Sequence, residues 1–560
     1  METMDVTAPV PLRMRSMTAL VLGPLLRFVG ERTATVWVET DHPGEVRVFD
    51  DEHGLDTTAR TFTVHGHHYA IVEIDGLEPG SETPYAVAID DETVWPDPET
   101  RFPKSRIRTL HPDHRVKLSF GSCRRSPDTT NQHGLDALAA YAHRLAGAVA
   151  DGSDEHWPNV LLMVGDQVYA DELSDEMRAF IRGRRDPDVP PVDELADFED
   201  YTHLYQLAWR EDPAVRWLLS TVPTLTIFDD HDIRDDWNTS HSWRQEMWSK
   251  PWWRARIIGG IGSYWIYQHL GNLSARERAE DPIYKAVREA SDSGGDAGKI
   301  LDEFAEQADK EPATTRWSYA HDLNGSRLVV VDSRCSRLLT PERRGMLDDL
   351  EFQWLDEQCQ GDVDHLLIAS SLPYLLPRAI HHAEAWNEAL AEGAWGPRAA
   401  RLGEKMRQAA DLEHWAAFEK SFRAVAEDVV AVGRGERGRP PATISFLSGD
   451  IHYSYLARVT EPRTQSVVSQ IVCSPLRNPL IGKFRMANIV AGSHATGWPF
   501  RLLAKMSKVP KPPLKWHRTK GPWFNNAICT VELSGRDCHV RWESPSSETA
   551  LTELGRADIR

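Results

Sequence analysis

Six cysteines in 560 residues are too few, and too scattered, to form a disulfide framework. They fall at Cys123, Cys335, Cys359, Cys473, Cys529 and Cys538, and no pair has CxxC spacing. Ordinary buried thiols in a reducing compartment are therefore expected. No uninterrupted apolar run reaches the ~18 residues that a transmembrane helix needs. Positive charge is also scarce: 64 basic residues face 84 acidic ones, a net charge of −20. Global nucleic-acid binding is not expected from that balance. The start of the chain lacks a convincing secretion signal. Arg13 and Arg15 precede the apolar stretch 19–26, but Pro24 interrupts it and no small-x-small cleavage site follows. A cytoplasmic location is the expectation. Internal repeats and long low-complexity tracts are missing too. What remains is a globular composition, 41% hydrophobic with 20 Trp, long enough for several domains.

Residues 18–110 read as all-β. In Thr33 to Glu39, the residues Ala34, Val36 and Val38 share one face at the period of 2 that a half-buried strand shows. Short strands at regular spacing with Pro/Gly turns predict a small β-sandwich. Its "GLEPGSETPYAVAI" stretch resembles fibronectin type III-like domains. His65, His67 and His68 offer metal-binding chemistry, but exposed strand-end histidines are the simpler expectation.

Beyond a polar linker at 111–115 the pattern changes. Apolar strands are predicted at 116–120, 160–164, 224–228, 328–331, 366–369 and 444–447, with helices between them. Continuous apolar runs of this kind are strands covered on both faces. Alternation with helices predicts a layered α/β domain over 116–545. Two helical insertions interrupt it, at 270–315 and 381–433. In the second, Trp415, Phe418, Phe422, Val425 and Val429 recur every 3 or 4 residues, as one apolar helix face requires.

Chemistry gathers where those strands end. The ends read Gly121-Ser122-Cys123, Gly165-Asp166-Gln167-Val168-Tyr169-Ala170-Asp171, Asp229-Asp230-His231-Asp232 and Gly449-Asp450-Ile451-His452. In layered α/β folds, ligands collect beyond the carboxyl ends of the strands. Each cluster alone has a plain explanation as a turn, a helix cap or a core thiol. Together they bring several carboxylates into one region, and cations offset that repulsion directly. A mix of thiol, phenol, imidazole and carboxylate suits iron or another transition metal, and the extra carboxylates suit a harder ion such as calcium.

The motifs "GSC", "GDQVYAD", "FDDHDIRDDW", "VVVDSRCSR", "MLDDLEFQWL" and "LSGDIHYS" together resemble the alkaline phosphatase D family of calcineurin-like metallophosphoesterases. The resemblance implies a four-layer α/β/β/α catalytic domain behind an accessory β-sandwich. It implies a first metal, ferric iron, on Cys123, Asp166, Tyr169 and His452. Asp166 would bridge to a second metal, calcium, completed by Asp230 and Asp450. His231 would steady the phosphoryl group or protonate the leaving oxygen, and Arg124 and Arg125 would contact phosphate. The chain departs from the family at Ser370-Ser371, where amide side chains are usual. The implied reaction is hydrolysis of a small phosphate ester, monoester or diester. Two other readings stay open: a regulatory protein that retains the fold, and a thiol-dependent hydrolase using Cys123.

Two positional expectations complete the reading. The 381–433 insertion should lie beside the metal cleft and limit substrate size. Residues 481–524 carry nine Lys or Arg and no acid, and should steer anionic substrates.

Overall fold

A computed structural model describes residues 18–113, 115–126, 132–153, 156–480, 485 and 497–559. The basic stretch around Arg13 and Arg15 lies outside the described residues, as do Lys483 and Phe484 of the 481–524 segment.

The N-terminal strands form two four-stranded sheets. One runs Leu20–Val29, Ala34–Thr40, His67–Ile74, Phe62–Val64; the other runs Leu55–Arg60, Glu45–Asp50, Ala86–Ile89, Glu92–Trp95. Leu26, Val36, Val38, Val46, Val48, Val72, Val87 and Ile89 fill one apolar core between them. The alternation along Ala34–Thr40 is real, but this strand is not half-buried. All seven of its residues are buried. Its second face carries Trp37, which joins Leu22, Leu25, Tyr69 and Ile71 in the core of the larger α/β region.

The insertion predicted at 270–315 explains part of that cover. Its helices, Ala275–Glu280, Pro282–Asp292 and Gly298–Lys310, pack against the sandwich. The Gly/Ser break at 291–295 is used there: the Thr63 N–H donates to Ser291 Oγ at 3.0 Å, and Gly66 N–H donates to Asp296 Oδ2 at 2.7 Å. His65 stays exposed at its strand end, as expected, while facing this seam, and His67 is drawn into the seam. His65 bonds Asp302 (2.8 Å), and His67 lies between Glu39 (3.1 Å) and Glu199 (2.8 Å).

Two larger sheets carry the α/β region. The first holds the parallel neighbours Thr224–Ile227, Val160–Val164 and Arg115–Gly121, extended by three antiparallel strands ending at Ala550–Asp558. It therefore runs past the expected boundary at 545. The second has seven strands, with Ser326–Val330, His365–Ala369, Thr443–Ser448 and Val467–Val472 parallel at its centre. Every predicted apolar strand of this region falls in one of the two sheets.

Period-2 alternation sorts the residues between layers. Leu328, Val330, Leu367, Ala369 and Leu447 join Leu118 and Phe120 of the first sheet in one core. Their neighbours Val329, Leu366, Ile368, Ile444 and Phe446 face the other way. There they meet Leu355 of helix Asp349–Gln358 and Phe422, Val425 and Val429 of helix Glu419–Arg434. The aromatic stripe predicted in the second insertion thus packs on the sheet. On the far side of the first sheet, Ser119 bonds Tyr141 of helix Ala137–Ala150 at 2.9 Å.

Candidate metal centre

The carboxyl ends of the parallel strands from both sheets come together. Cys123 N–H donates to Gly165 O, and Gly165 N–H donates to Ile227 O. Asp450 N–H donates to Ser122 Oγ at 3.0 Å and so ties the second sheet to the first. This approach admits no side chain at Gly449, where a Cβ would lie 1.9 Å from Ser122 Oγ. Asp232 is the internal brace. Its carboxylate accepts from the backbone N–H groups of Asp166, Gln167, Val168 and Asp229 at 2.8–3.3 Å.

Four predicted ligands share a backbone peculiarity. Cys123, Asp166, Asp450 and His452 have φ of +55°, +49°, +63° and +57°. Non-glycine residues in this region are strained by roughly 1–3 kcal/mol each, and such strain clusters at functional sites.

Carboxylate oxygens of Asp166, Asp229, Asp230 and Asp450 lie within 4.8 Å of one another. Asp229, which sequence reasoning left unassigned, belongs to this group. Two buried oxygens, Asp166 Oδ1 and Asp229 Oδ2, have no partner among the described residues. Burial, then the neighbouring acids, push the Asp166 carboxyl well above its usual range, against the pull of His231. Burial likewise raises Asp229 and Asp230, against Arg334. Asp450 goes the other way. Burial opposes its charge, but the His414 hydrogen bond and nearby cations hold it down at about 2.

The remaining predicted ligands form a connected wall. Tyr169 Oη lies 3.5 Å from Asp166 Oδ2 and accepts from Asn478 Nδ2 at 3.0 Å. His452 Nδ1 lies 2.8 Å from the Asn478 carbonyl. A carbonyl only accepts, so Nδ1 carries the proton and Nε2 is left bare, the tautomer a metal ligand needs. Ser474 Oγ bridges onward, accepting from His452 N–H (3.2 Å) and lying 3.3 Å from Cys123 Sγ. Burial and the charges of Asp166 and Asp450 raise the Cys123 thiol well above its usual range. Its hydrogen-bond partners are Ser122, Ser474 and the Asp450 carbonyl. A thiol in that setting, without an imidazole partner among the described residues, is a poor nucleophile on its own.

His231 stands at the rim. Its Nδ1 bonds Asp171 Oδ1 at 2.9 Å, and its ring rests on Tyr169 at 4.7 Å between centroids. Burial opposes its protonation, but Asp171 and Asp230 win and hold the imidazole in its charged form.

One expectation needs correction. Arg124 does not serve the site: it is 1% exposed, its Nε and Nη2 bind Asp136 at 2.9 Å, and its Nη1 donates to the Ala208 carbonyl. A side chain locked this way cannot reach a phosphate. Arg125 is placed better. It spans Glu172 (2.6 Å) and lies 5.0 Å over the Tyr169 ring. Ser371 bonds Ser333 at 2.9 Å, and Ser370 donates to the Leu372 carbonyl, so both hydroxyls are engaged in packing.

The second insertion reaches the site, as its position between strands suggested. His414 Nε2 meets Asp450 Oδ2 at 3.0 Å, and its Nδ1 meets Glu384 at 2.8 Å. Glu413 pairs with Arg334 at 2.6 Å, and Arg334 also binds Asp229 and, at 3.1 Å, Asp230. Sequence reasoning missed His414, Glu384 and Glu413, because nothing in a helical insertion marks a residue as bound for a strand end. Arg334 was visible only inside the motif "VVVDSRCSR".

Comparison with known proteins agrees with this geometry. Residues 140–287 match the family model described as PhoD-like phosphatase, and residues 17–107 match a domain of unknown function, DUF7800. No curated protein matches the chain. Among solved structures, one described as "Structure of PhoD" is similar with a TM-score of 0.58 at 13% identity, covering 99% of this chain and 94% of that one. The type III pullulan hydrolase from Thermococcus kodakarensis, at 11% identity, covers 96% of this chain and 98% of that one, but its TM-score of 0.16 carries no argument. The family match spans the Asp166 and Asp230 strand ends, and over nearly its whole length the chain is similar in fold to PhoD.

Proposed function

We propose that the protein is a metal-dependent hydrolase of phosphate esters built on a four-layer α/β/β/α domain, with the β-sandwich as an accessory unit. One observation carries this reading. Four aspartates, three of them buried and Asp450 partly so, converge at strand ends, and two of their oxygens have no partner among the described residues. Arg334, His231 and His414 are each shared with a further acid (Glu413, Asp171 and Glu384), so they do not balance the four, and cations would supply the missing charge.

The donor set fits two different ions. Cys123, Tyr169 and the bare Nε2 of His452 would hold a softer ion, with iron the best match. Asp230 and Asp450 would hold a harder one such as calcium, and Asp166 would face both. When bound, such a pair supplies charge neutralisation at phosphorus and a water acidic enough to attack at neutral pH. The chain's own residues do the rest. His231, charged and fixed by Asp171, would give its proton to the leaving oxygen. Arg125 would contact phosphate oxygens from above Tyr169. His414 would orient Asp450. Six unpaired, buried thiols fit the reducing compartment we propose.

The test is turnover of p-nitrophenyl phosphate before and after chelation, with metal content measured in parallel. Bound metal, turnover, and loss of both on chelation are expected. Turnover that survives chelation and stops on thiol alkylation would refute the metal mechanism in favour of Cys123. Bound metal with no turnover would favour a binding protein. His231→Ala should keep the metals and lower kcat about 10²–10⁴-fold, least for esters with good leaving groups.

A further inference from the structure

A cavity of about 610 Å³ shares no lining residue with the acidic cluster. That volume is in the range of small-molecule sites. Tyr455 and Ala457 of the strand Ser454–Glu461 form part of its wall, and three further elements each contribute a pair of polar or aromatic residues from one face. Arg378 and His382 come from the first turns of helix Arg378–Ala391. Trp498 and Arg501 come from helix Gly497–Met506, and Trp516 and Arg518 from the strand Lys515–Trp523. The spacings i,i+4, i,i+3 and i,i+2 are those that place two side chains on one side of a helix or strand.

The charge in this cavity is one-sided. Among the described residues, no carboxylate lines it. Arg378, Arg501 and Arg518 form no hydrogen bond or ion pair among the described residues. His382 is 7% exposed, and its Nε2 has no partner. Burial and the charges of Arg378 and Arg501 depress this imidazole to about 4, so it adds a neutral polar group beside three cations. Arg378 and the exposed Arg501 lie close enough to repel each other, an anion between them would relieve this, and a fork of N–H donors matches an oxyanion.

The walls and mouth are apolar. Trp516 is locked by its Nε1–H donating to the Leu376 carbonyl at 2.7 Å. Trp498 opens onto an exposed stripe at i, i+4 and i+8: Trp498, Leu502 and Met506 are 68%, 43% and 60% exposed. Three large apolar side chains in line on one helix, leading out of a cationic cavity, describe a ligand with two ends.

We infer that this cavity is a second ligand site. It binds the oxyanion head of a single-chain amphiphile, whose apolar chain lies along Trp498, Leu502 and Met506. A soluble alkyl phosphate and a phospholipid drawn from a bilayer share this chemistry. The site does not depend on the proposed reaction.

Calorimetric titration of the metal-loaded protein with decylphosphonate monomers tests it, since the carbon–phosphorus bond resists hydrolysis. Saturable binding is expected. The pair of changes Arg378→Gln and Arg501→Gln should weaken it about 100-fold, the scale of losing two charge-assisted contacts. The exposed pair Trp498→Ala and Leu502→Ser should weaken it about tenfold, with methylphosphonate binding unaltered. Both variants should hydrolyse p-nitrophenyl phosphate as the parent does. Vesicles containing phosphatidylglycerol supply the second arm. Sedimentation with vesicles that the arginine changes abolish would name a lipid source, and binding of monomers alone would name a soluble one. Decylphosphonate or vesicle binding that ignores the arginine changes would overturn the inference. So would decylphosphonate affinity explained wholly by competition with p-nitrophenyl phosphate.

Discussion

Two buried charge networks can be set side by side in this molecule: the seam under the β-sandwich and the strand-end cluster. In the seam, charge is satisfied by protein. Arg278 is fully buried, yet its guanidinium reaches Glu73 (2.9 Å), Thr35 Oγ1 (2.7 Å) and the carbonyls of Leu270 and Leu273. Arg27 ends on the Gln268 carbonyl and Asn272, and its buried Nε lacks a partner among the described residues. At the strand ends, four aspartates crowd together, two of their oxygens lack partners, and the backbone beneath four predicted ligands is strained. The seam is arranged for the folded state alone. The cluster is arranged for something the chain does not itself contain, which is how a metal centre differs from a structural ion pair.

The largest effect should come from removing the charge both ions would share. Asp166→Asn should lower turnover about 10³-fold, the upper end of what one stabilising group contributes. It should also lower metal content. The same change should leave the metal-free protein no less stable, because it relieves repulsion among buried carboxyls. Thermal unfolding of the metal-free form checks this, and a large loss of stability would erase the contrast with the seam. Next comes the seam itself. Arg278→Met should cost about 2–4 kcal/mol, since it strands two buried carbonyls while Glu73, 42% exposed, stays hydrated. Activity per folded molecule should hold. Denaturant midpoints, compared with kcat, separate the two effects.

The sequence disclosed what is local. Period-2 runs marked the strands, and a chemical residue after each marked the site, because a parallel strand presents its carboxyl end at one rim of the sheet. The tertiary partners stayed hidden. Arg124 follows Cys123 directly, yet its side chain belongs to Asp136 and Ala208. Adjacency in sequence does not set direction when the backbone turns through positive φ at Cys123. The second face of Ala34–Thr40 could not be read either, since its partners come from the helices after residue 250. His414 had no local signal at all, and only the packing of its insertion brings it to Asp450.

That histidine offers a smaller, sharper probe. His414→Gln removes the group holding Asp450 ionised, while Glu384 loses its partner. Outer partners of metal ligands are worth about 10–100-fold in metal affinity or activity. The weaker of the two proposed ions should be the more easily lost, so added calcium should restore turnover where added iron does not. Equal rescue by both, or none by either, would remove His414 from the site and leave it a packing residue.

The smallest expected effect tests the seam by pH. His67 lies between Glu39 and Glu199; burial opposes its charge, but both carboxylates raise its pKa from 6.5 to about 9. Burial pushes the Glu39 carboxyl up while His67 pulls it down, so the charged imidazole is the better-defined partner. A group raised in the folded state binds its proton more tightly there than when unfolded. Its stabilisation is therefore complete below about pH 6.5 and is lost as pH rises through about 9. The full shift corresponds to about 3 kcal/mol. Glu199 is 44% exposed, and screening there reduces the expected value to about 1–2 kcal/mol. Unfolding free energy should fall by that amount between pH 6 and 10 in the parent and stay flatter in His67→Gln. The metal centre should not share in the change: kcat compared at one pH, where both proteins are folded, should be equal. A slope that persists in His67→Gln would assign the pH dependence to other groups and deprive the seam of its central ion pair.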